Sequence, residues 1–158
     1  MLVKDVMTKN VVKFSIEDSI VKVLKAFSKK KISGGPVLKG KEIVGMITDV
    51  DIIANLDIYT PRIHFNSNPD FLLILAGLKS KRKAEEIENE MKVMKKFKVK
   101  DFMTKRVFTI NQKETITEAA RIMHEKEITR LPVIDDDKKL VGIVARQDII
   151  RALVKIGN

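Results

Sequence analysis

No cysteine and no tryptophan occur in the chain, tyrosine occurs once and histidine twice. The missing cysteine excludes a disulfide scaffold, a thiolate metal site and a cysteine nucleophile. His64 and His124 are isolated from each other and from paired carboxylates, so they read as surface residues and not as metal ligands. Asp135-Asp136-Asp137 lacks the spaced oxygen ligands and closing Glu of a calcium loop and reads as a solvated turn. There is no nucleophile elbow, no Gly-x-x-x-x-Gly-Lys phosphate loop and no His-centred triad. That leaves no candidate catalytic residue, no metal and no required cofactor, which argues against an enzyme. The first residues carry no apolar segment of signal-peptide length, and the longest apolar run, Phe71 to Leu78, is too short to span a bilayer. The expectation is a soluble cytoplasmic protein with no membrane contact.

What the chain does have is length and charge. Its 158 residues, 44% hydrophobic, suffice for one compact domain or two small ones sharing a core. Lys plus Arg outnumber Asp plus Glu by 31 to 21, giving a formal net charge of +10. That excess favours an anionic partner such as a phosphate ligand, a nucleic acid or an acidic protein surface. A Lys- and Glu-rich composition is equally a habit of proteins from hot environments, so charge alone names no partner.

The main signal is an internal repeat. Gly45-Met-Ile-Thr-Asp-Val-Asp51 returns as Gly142-Ile-Val-Ala-Arg-Gln-Asp148, and Lys4-Asp-Val-Met-Thr8 returns as Lys100-Asp-Phe-Met-Thr104. β-Branched runs follow each opening, Val11 to Phe14 and Val107 to Ile110. Next come helical patterns with Ile20, Val23, Leu24 and Phe27 on one face, matched by Ile116, Ala119, Ala120 and Met123. Thr115 and Glu118 have the spacing of a capping box; Ser19 and Lys22 can cap but cannot close one. Then come strands Ile32 to Leu38 and Ile128 to Ile134, whose Pro36 and Pro132 are expected at a strand start or edge and not in mid-sheet. A hairpin leads into the Gly-to-Asp strand and a final helix. Each unit therefore reads strand, helix, strand, strand, helix, an α/β (α+β) class, and two units of about 55 residues are expected to pack together because one alone buries too little. The boundaries are 1–57, an inserted loop and helical linker at 58–98, and 99–158. In the insertion, Phe71, Ile74, Leu75 and Leu78 form one apolar stripe and Ala84, Ile87, Met91 and Met94 another.

The doubled Gly-x-x-Thr-x-x-Asp, preceded by Ile-x-x-x-Pro-Val and an opening Asp-x-Met-Thr, resembles a tandem pair of CBS domains, the modules named after cystathionine β-synthase. The resemblance implies two β-α-β-β-α repeats packed about a pseudo-twofold axis, with clefts that bind AMP, ADP, ATP or S-adenosylmethionine. It implies that Asp51 and Asp148 bind ribose hydroxyls and that Thr48 contacts phosphate or ribose. Ala145 stands where the second repeat would have that Thr; Arg146 follows it, and Arg130, before Leu-Pro-Val, offers a fork for phosphate oxygens. Adenine would lie near Val12, Ile32 and Pro36, or near Phe108, Ile128 and Pro132. Such a module is regulatory: it senses energy state or another adenosine signal, forms a homodimer and acts on a partner protein that remains unknown. The insertion has two possible roles, as a lid carrying Arg62 or Lys79 to the ligand, or as a basic helix. Between Lys79 and Lys100 nine Lys or Arg face four Glu, which supports an alternative reading as a homodimeric adaptor or nucleic-acid-binding protein with vestigial clefts. The bare alternative is that each motif Asp merely caps its helix.

Overall fold

A computed structural model of the chain describes residues 1–59, 92 and 94–156. Two compact units result, one of Val12–Arg106 and one of Met1–Val11 with Val107–Asn158. The elements of the first-sheet unit are β1 (Phe14–Ser15), α2 (Ile20–Lys30), β2 (Gly34–Lys39), β3 (Glu42–Thr48), α3 (Asp49–Tyr59) and α4 (Val99–Phe102). Those of the second-sheet unit are α1 (Val3–Val6), β4 (Ile110–Asn111), α5 (Ile116–Glu125), β5 (Arg130–Ile134), β6 (Leu140–Ala145) and α6 (Arg146–Ile156). The two openings are thus exchanged: the first repeat's opening folds with the second repeat's sheet, and the second repeat's with the first.

Each sheet has three strands, ordered β1-β2-β3 and β4-β5-β6, with a parallel first pair and an antiparallel second pair. The hairpins follow the expected glycine and aspartate turns, and each carries a register shift, at Val37/Leu38 and at Val133/Ile134. α2 begins where Ser19 Oγ accepts the Lys22 N–H (3.3 Å), and its Ile20, Val21, Val23, Leu24 and Phe27 are buried. With Phe14, Val37, Ile47, Ile52, Val99 and Phe102 they form the core of this unit. In the other unit Val3, Ile110, Ala119, Met123, Leu131, Val133, Val144 and Ile149 do the same work. Apolar periodicity therefore placed the cores, apart from Ala120, which is exposed while half-buried Ile122 flanks the core instead.

Three local expectations change. The β-branched runs enter the ladders only at Phe14 and Ile110, their last residues, and the residues before these are in no strand. Pro36 and Pro132 lie inside the central strands β2 and β5, not at a start or an edge. They are tolerated because β1 and β4 are two residues long and pair only with Val37–Leu38 and Val133–Ile134, so no partner waits for the missing proline N–H. Thr115 Oγ1 does accept the Glu118 N–H (3.1 Å), but Arg121 holds the Glu118 carboxylate (Nε to Oε2, 2.8 Å), so the box does not close there.

The exchanged openings explain why the motif strands carry glycine. Thr104 and Met46 bond each other's backbone in both directions (2.9 Å each), as do Thr8 and Ile143 (2.9 and 3.0 Å), so each opening adds a bridge at the edge of β3 or β6. A Cβ on Gly45 would lie 2.7 Å from Met103 Sδ and 3.1 Å from the Thr104 carbonyl oxygen, and one on Gly142 would strike Met7 Sδ. Of the insertion's stripes only Met94 is among the described residues with side chains; it is buried in the first-sheet core. The other stripe residues, and the loop before them, lie outside the described residues.

Candidate functional site

The turn from β3 into α3 is a closed capping box. Thr48 Oγ1 accepts the Asp51 N–H (3.1 Å), and Asp51 Oδ2 accepts the Thr48 N–H (2.9 Å) and the Thr48 hydroxyl (2.6 Å). The other carboxylate oxygen, Oδ1, accepts the hydroxyl of Thr104, 3.1 Å away on the opening segment. Asn55 Nδ2 donates to the Asp51 carbonyl at 2.7 Å and secures the first turn. Both oxygens of Asp51 are therefore committed to the protein's own fold. The motif alone does not point to Thr104; its signal is the repeated Asp-x-Met-Thr opening, whose Thr sits three residues after the helix-capping Asp101.

The equivalent turn from β6 into α6 is half of that arrangement. Asp148 Oδ2 accepts the Ala145 N–H (2.9 Å), and with no hydroxyl at 145 no reciprocal bond forms. Among the described residues this is the one hydrogen bond of the Asp148 carboxylate. Asp148 is half-buried and its Oδ1 remains available to a donor.

The opposing strand completes the contrast. Gly34 pairs across with Thr48 in the first sheet, and Arg130 with Ala145 in the second. Facing residues in such a ladder have Cβ atoms about 5 Å apart. The second repeat thus replaces a threonine hydroxyl on one strand by a guanidinium on its neighbour, with the small Ala145 leaving room. Arg130 is half-buried, with Nη2 3.4 Å from Thr129 Oγ1. Arg146 is exposed and its backbone N–H bonds the Thr129 carbonyl (2.8 Å), closing the mouth of the β5–β6 hairpin. Arg130, Arg146 and Asp148 consequently share one end of the second sheet.

The apolar residues assigned to adenine divide by exposure. Val12, Ile32, Phe108 and Ile128 are half-buried, flanking their cores, whereas Pro36 and Pro132 are buried. The Lys126 ammonium sits 5.5 Å from the Phe108 ring centroid, a cation–π distance. His124 is exposed, as expected. His64, Arg62 and Lys79 lie outside the described residues, as does most of the basic stretch. Of that stretch Lys92, Lys95, Lys96 and Lys100 are exposed. Lys100 Nζ meets Glu17 Oε1 at 2.8 Å and holds the Glu17 carboxyl below its ordinary range. Among the described residues no cluster of metal-ligating side chains occurs, and no helix is long and apolar enough to cross a membrane.

The comparisons agree with this architecture. The sequence model of the CBS domain matches twice, over residues 3–58 and 99–155. The chain is 39% identical over 155 residues to protein MJ1426, described as uncharacterized, of Methanocaldococcus jannaschii, covering 98% of this chain and 92% of that one. It is 29% identical over 140 residues to the chloroplastic CBS domain-containing protein CBSX2 of Arabidopsis thaliana, covering 87% of this chain but only 56% of that protein. The crystal structure of CBSX2 in complex with AMP matches with a TM-score of 0.69 at 26% identity, over 99% of this chain and 98% of that one. The CBS domain pair of protein MJ0100, in complex with 5′-methylthioadenosine and S-adenosyl-L-methionine, matches with a TM-score of 0.69 at 25% identity, over 97% and 99%. With both repeats matched, their sheets laid out alike and the same Gly-to-Asp turn closing each hairpin, the chain belongs to the CBS domain family, as a tandem pair.

Proposed function

We propose that the chain is a regulatory module that binds an adenosine-containing compound and conveys its occupancy to a partner protein, sensing rather than catalysing. The observation that carries this reading is the half-satisfied carboxylate of Asp148. Ribose presents two adjacent hydroxyl donors, and an ionised carboxylate with a free oxygen accepts from them without breaking any bond of the fold. Arg130 and Arg146, at the same end of the sheet, meet the phosphate of a nucleotide, while half-buried Phe108 and Ile128 give its base an apolar surface. That CBS pairs have been solved with AMP and with S-adenosylmethionine and methylthioadenosine supports the ligand class. Asp51, Thr48, Val12, Ile32 and Pro36 form a second, weaker site, since a ribose there competes with the Thr104 hydroxyl already bonded to Asp51 Oδ1.

A thermal-shift titration of the full chain with AMP, ADP, ATP, S-adenosylmethionine and methylthioadenosine tests this. A ligand at about 100 times its dissociation constant adds about 2.7 kcal/mol of stability, a shift of several degrees. The shift should vanish in Asp148→Ala. A flat melt with every compound sinks the reading.

The homodimer belongs to the same proposal. Ile150, Leu153 and Val154 are 45%, 57% and 60% exposed and share one face of α6 at i, i+3, i+4 spacing. A second copy of the chain covers them. Leu153→Asp should therefore move the protein from dimer to monomer in sedimentation velocity; a wild-type monomer at the same concentration rejects the dimer.

A further inference from the structure

Four charged side chains of the second-sheet unit border one cavity of about 290 Å3: Asp5 from α1, and Asp148, Arg151 and Lys155 from α6. Val6 and Ala152 supply apolar wall between them. Positions 148, 151, 152 and 155 follow i, i+3, i+4, i+7 and so form one face of α6, apart from the Ile150, Leu153 and Val154 face.

Elsewhere on this unit opposite charges close on each other. Lys113 pairs with Asp136, Arg121 with Glu118 and with Glu125 (2.6 Å), and Lys139 with Asp137 (3.3 Å). Around the cavity they do not. Among the described residues Asp5 accepts only the Leu2 N–H (2.9 Å), Asp148 only the Ala145 N–H, and Arg151 and Lys155 enter no ion pair. Each carboxylate keeps one oxygen in reserve and both cations are uncommitted.

With Met1 also in the lining, two carboxylates face at least two cations, so the cavity presents both signs of charge and not one. It favours a neutral dipolar molecule that brings an ammonium to the carboxylates and an anion to the guanidinium and ammonium. The volume lies at the small end of the range for ligand pockets, about 300 to 1,000 Å3. We propose that this cavity binds a small zwitterion of the α-amino-acid class. Its ammonium sits on the free oxygens of Asp5 and Asp148, its carboxylate lies between Arg151 and Lys155, and a short apolar side chain rests against Val6 and Ala152. Both readings claim the free oxygen of Asp148, so the two ligands compete there, whereas Asp5, Arg151 and Lys155 belong to this reading alone and tell the two apart.

The test is calorimetric titration of the full chain with L-leucine, beside leucinamide, which lacks the carboxylate charge, and isocaproate, which lacks the ammonium. Leucine should bind at one site, and each analogue should bind about 10- to 100-fold more weakly, the usual effect of losing one charged hydrogen-bonding group. Asp5→Asn keeps an acceptor for the Leu2 N–H but removes the charge, and Arg151→Gln removes a cation from the surface; each should weaken leucine by a similar factor while leaving the ligand-free melt unchanged. No heat from leucine or any other standard L-amino acid at millimolar concentration overturns the proposal. So does binding of leucinamide or isocaproate as tight as that of leucine, or binding indifferent to both substitutions. An adenosine titration of a separate, leucine-free sample reports on the other reading, and in Asp5→Asn and Arg151→Gln it should be unchanged.

Discussion

Gly35→Ala is expected to destabilise the first-sheet unit by about 2–3 kcal/mol, the upper part of the range for overpacking a well-filled core. A Cβ at this position lies 2.7 Å from the Val12 carbonyl oxygen and 3.0 Å from Cε2 of Phe14. Neither neighbour can step aside. Val12 leads directly into β1, whose Phe14 and Ser15 are fixed in register against Val37 and Leu38. The Phe14 ring is 3% exposed and stands edge-on to Phe27, with centroids 5.7 Å apart and planes at 77°. The second repeat has Leu131 at this position, fully buried, so there the homologous space is filled by a side chain where the first repeat admits a backbone carbonyl. Gly40→Ala is the matched control: it has a φ of +63° and open space around its Cβ, so it should cost only the left-handed strain of about 1 kcal/mol. Urea midpoints at constant m-value read both. If Gly35→Ala costs no more than Gly40→Ala, the close approach of Val12 to β2 is not real. Val12 also flanks the proposed adenine surface, so strain placed on it by this methyl group should weaken any ligand bound beside Asp51.

How much of this was legible beforehand depends on whether the determinant is local. Helix faces were legible, because Ile20, Val23, Leu24 and Phe27 announce a buried stripe by spacing alone. So was the chemistry of Gly-x-x-Thr-x-x-Asp, since a hydroxyl and a carboxylate three residues apart at a strand-to-helix turn are the parts of a capping box. The exchange of openings was not legible. Met7 and Met103 sit in local sequences that differ only by Val6 against Phe102 over Val3–Lys9 and Val99–Lys105, and Gly45 and Gly142 both leave the room they need, so nothing in either segment says which sheet it will join. The prolines were misplaced for a related reason: whether mid-strand Pro36 lacks a partner depends on where β1 stops, which is set by tertiary pairing. Thr115 and Glu118 misled in the opposite direction, because Arg121 one turn further on competes for the same carboxylate. At the candidate site the missing hydroxyl of Ala145 first reads as a defect, yet the cross-strand register pairs it with Arg130 and gives the change a compensating cation.

The division of labour between the two motif aspartates yields the second large effect. Asp51→Ala is expected to cost about 2–4 kcal/mol, because it removes the acceptor for one backbone N–H and two hydroxyls and dismantles a helix cap. Asp148→Ala removes a single backbone acceptor and should cost about 1 kcal/mol. The ligand response should run the other way: the adenosine-dependent rise in melting temperature disappears in Asp148→Ala and persists in Asp51→Ala. Thr104→Val separates the latch from the cap, since it deletes only the hydroxyl 3.1 Å from Asp51 Oδ1, and a double-mutant cycle with Asp51→Ala should return a coupling of about 1 kcal/mol. An Asp148→Ala variant that loses more stability than Asp51→Ala would show that the hydrogen-bond inventory misassigns the two carboxylates. A carboxylate that already accepts three hydrogen bonds from the fold, as Asp51 does, is a poorer ligand receptor, because about one of its four acceptor positions is left. One that is positioned by a single backbone bond is held in place while staying available, and that is the state of Asp148.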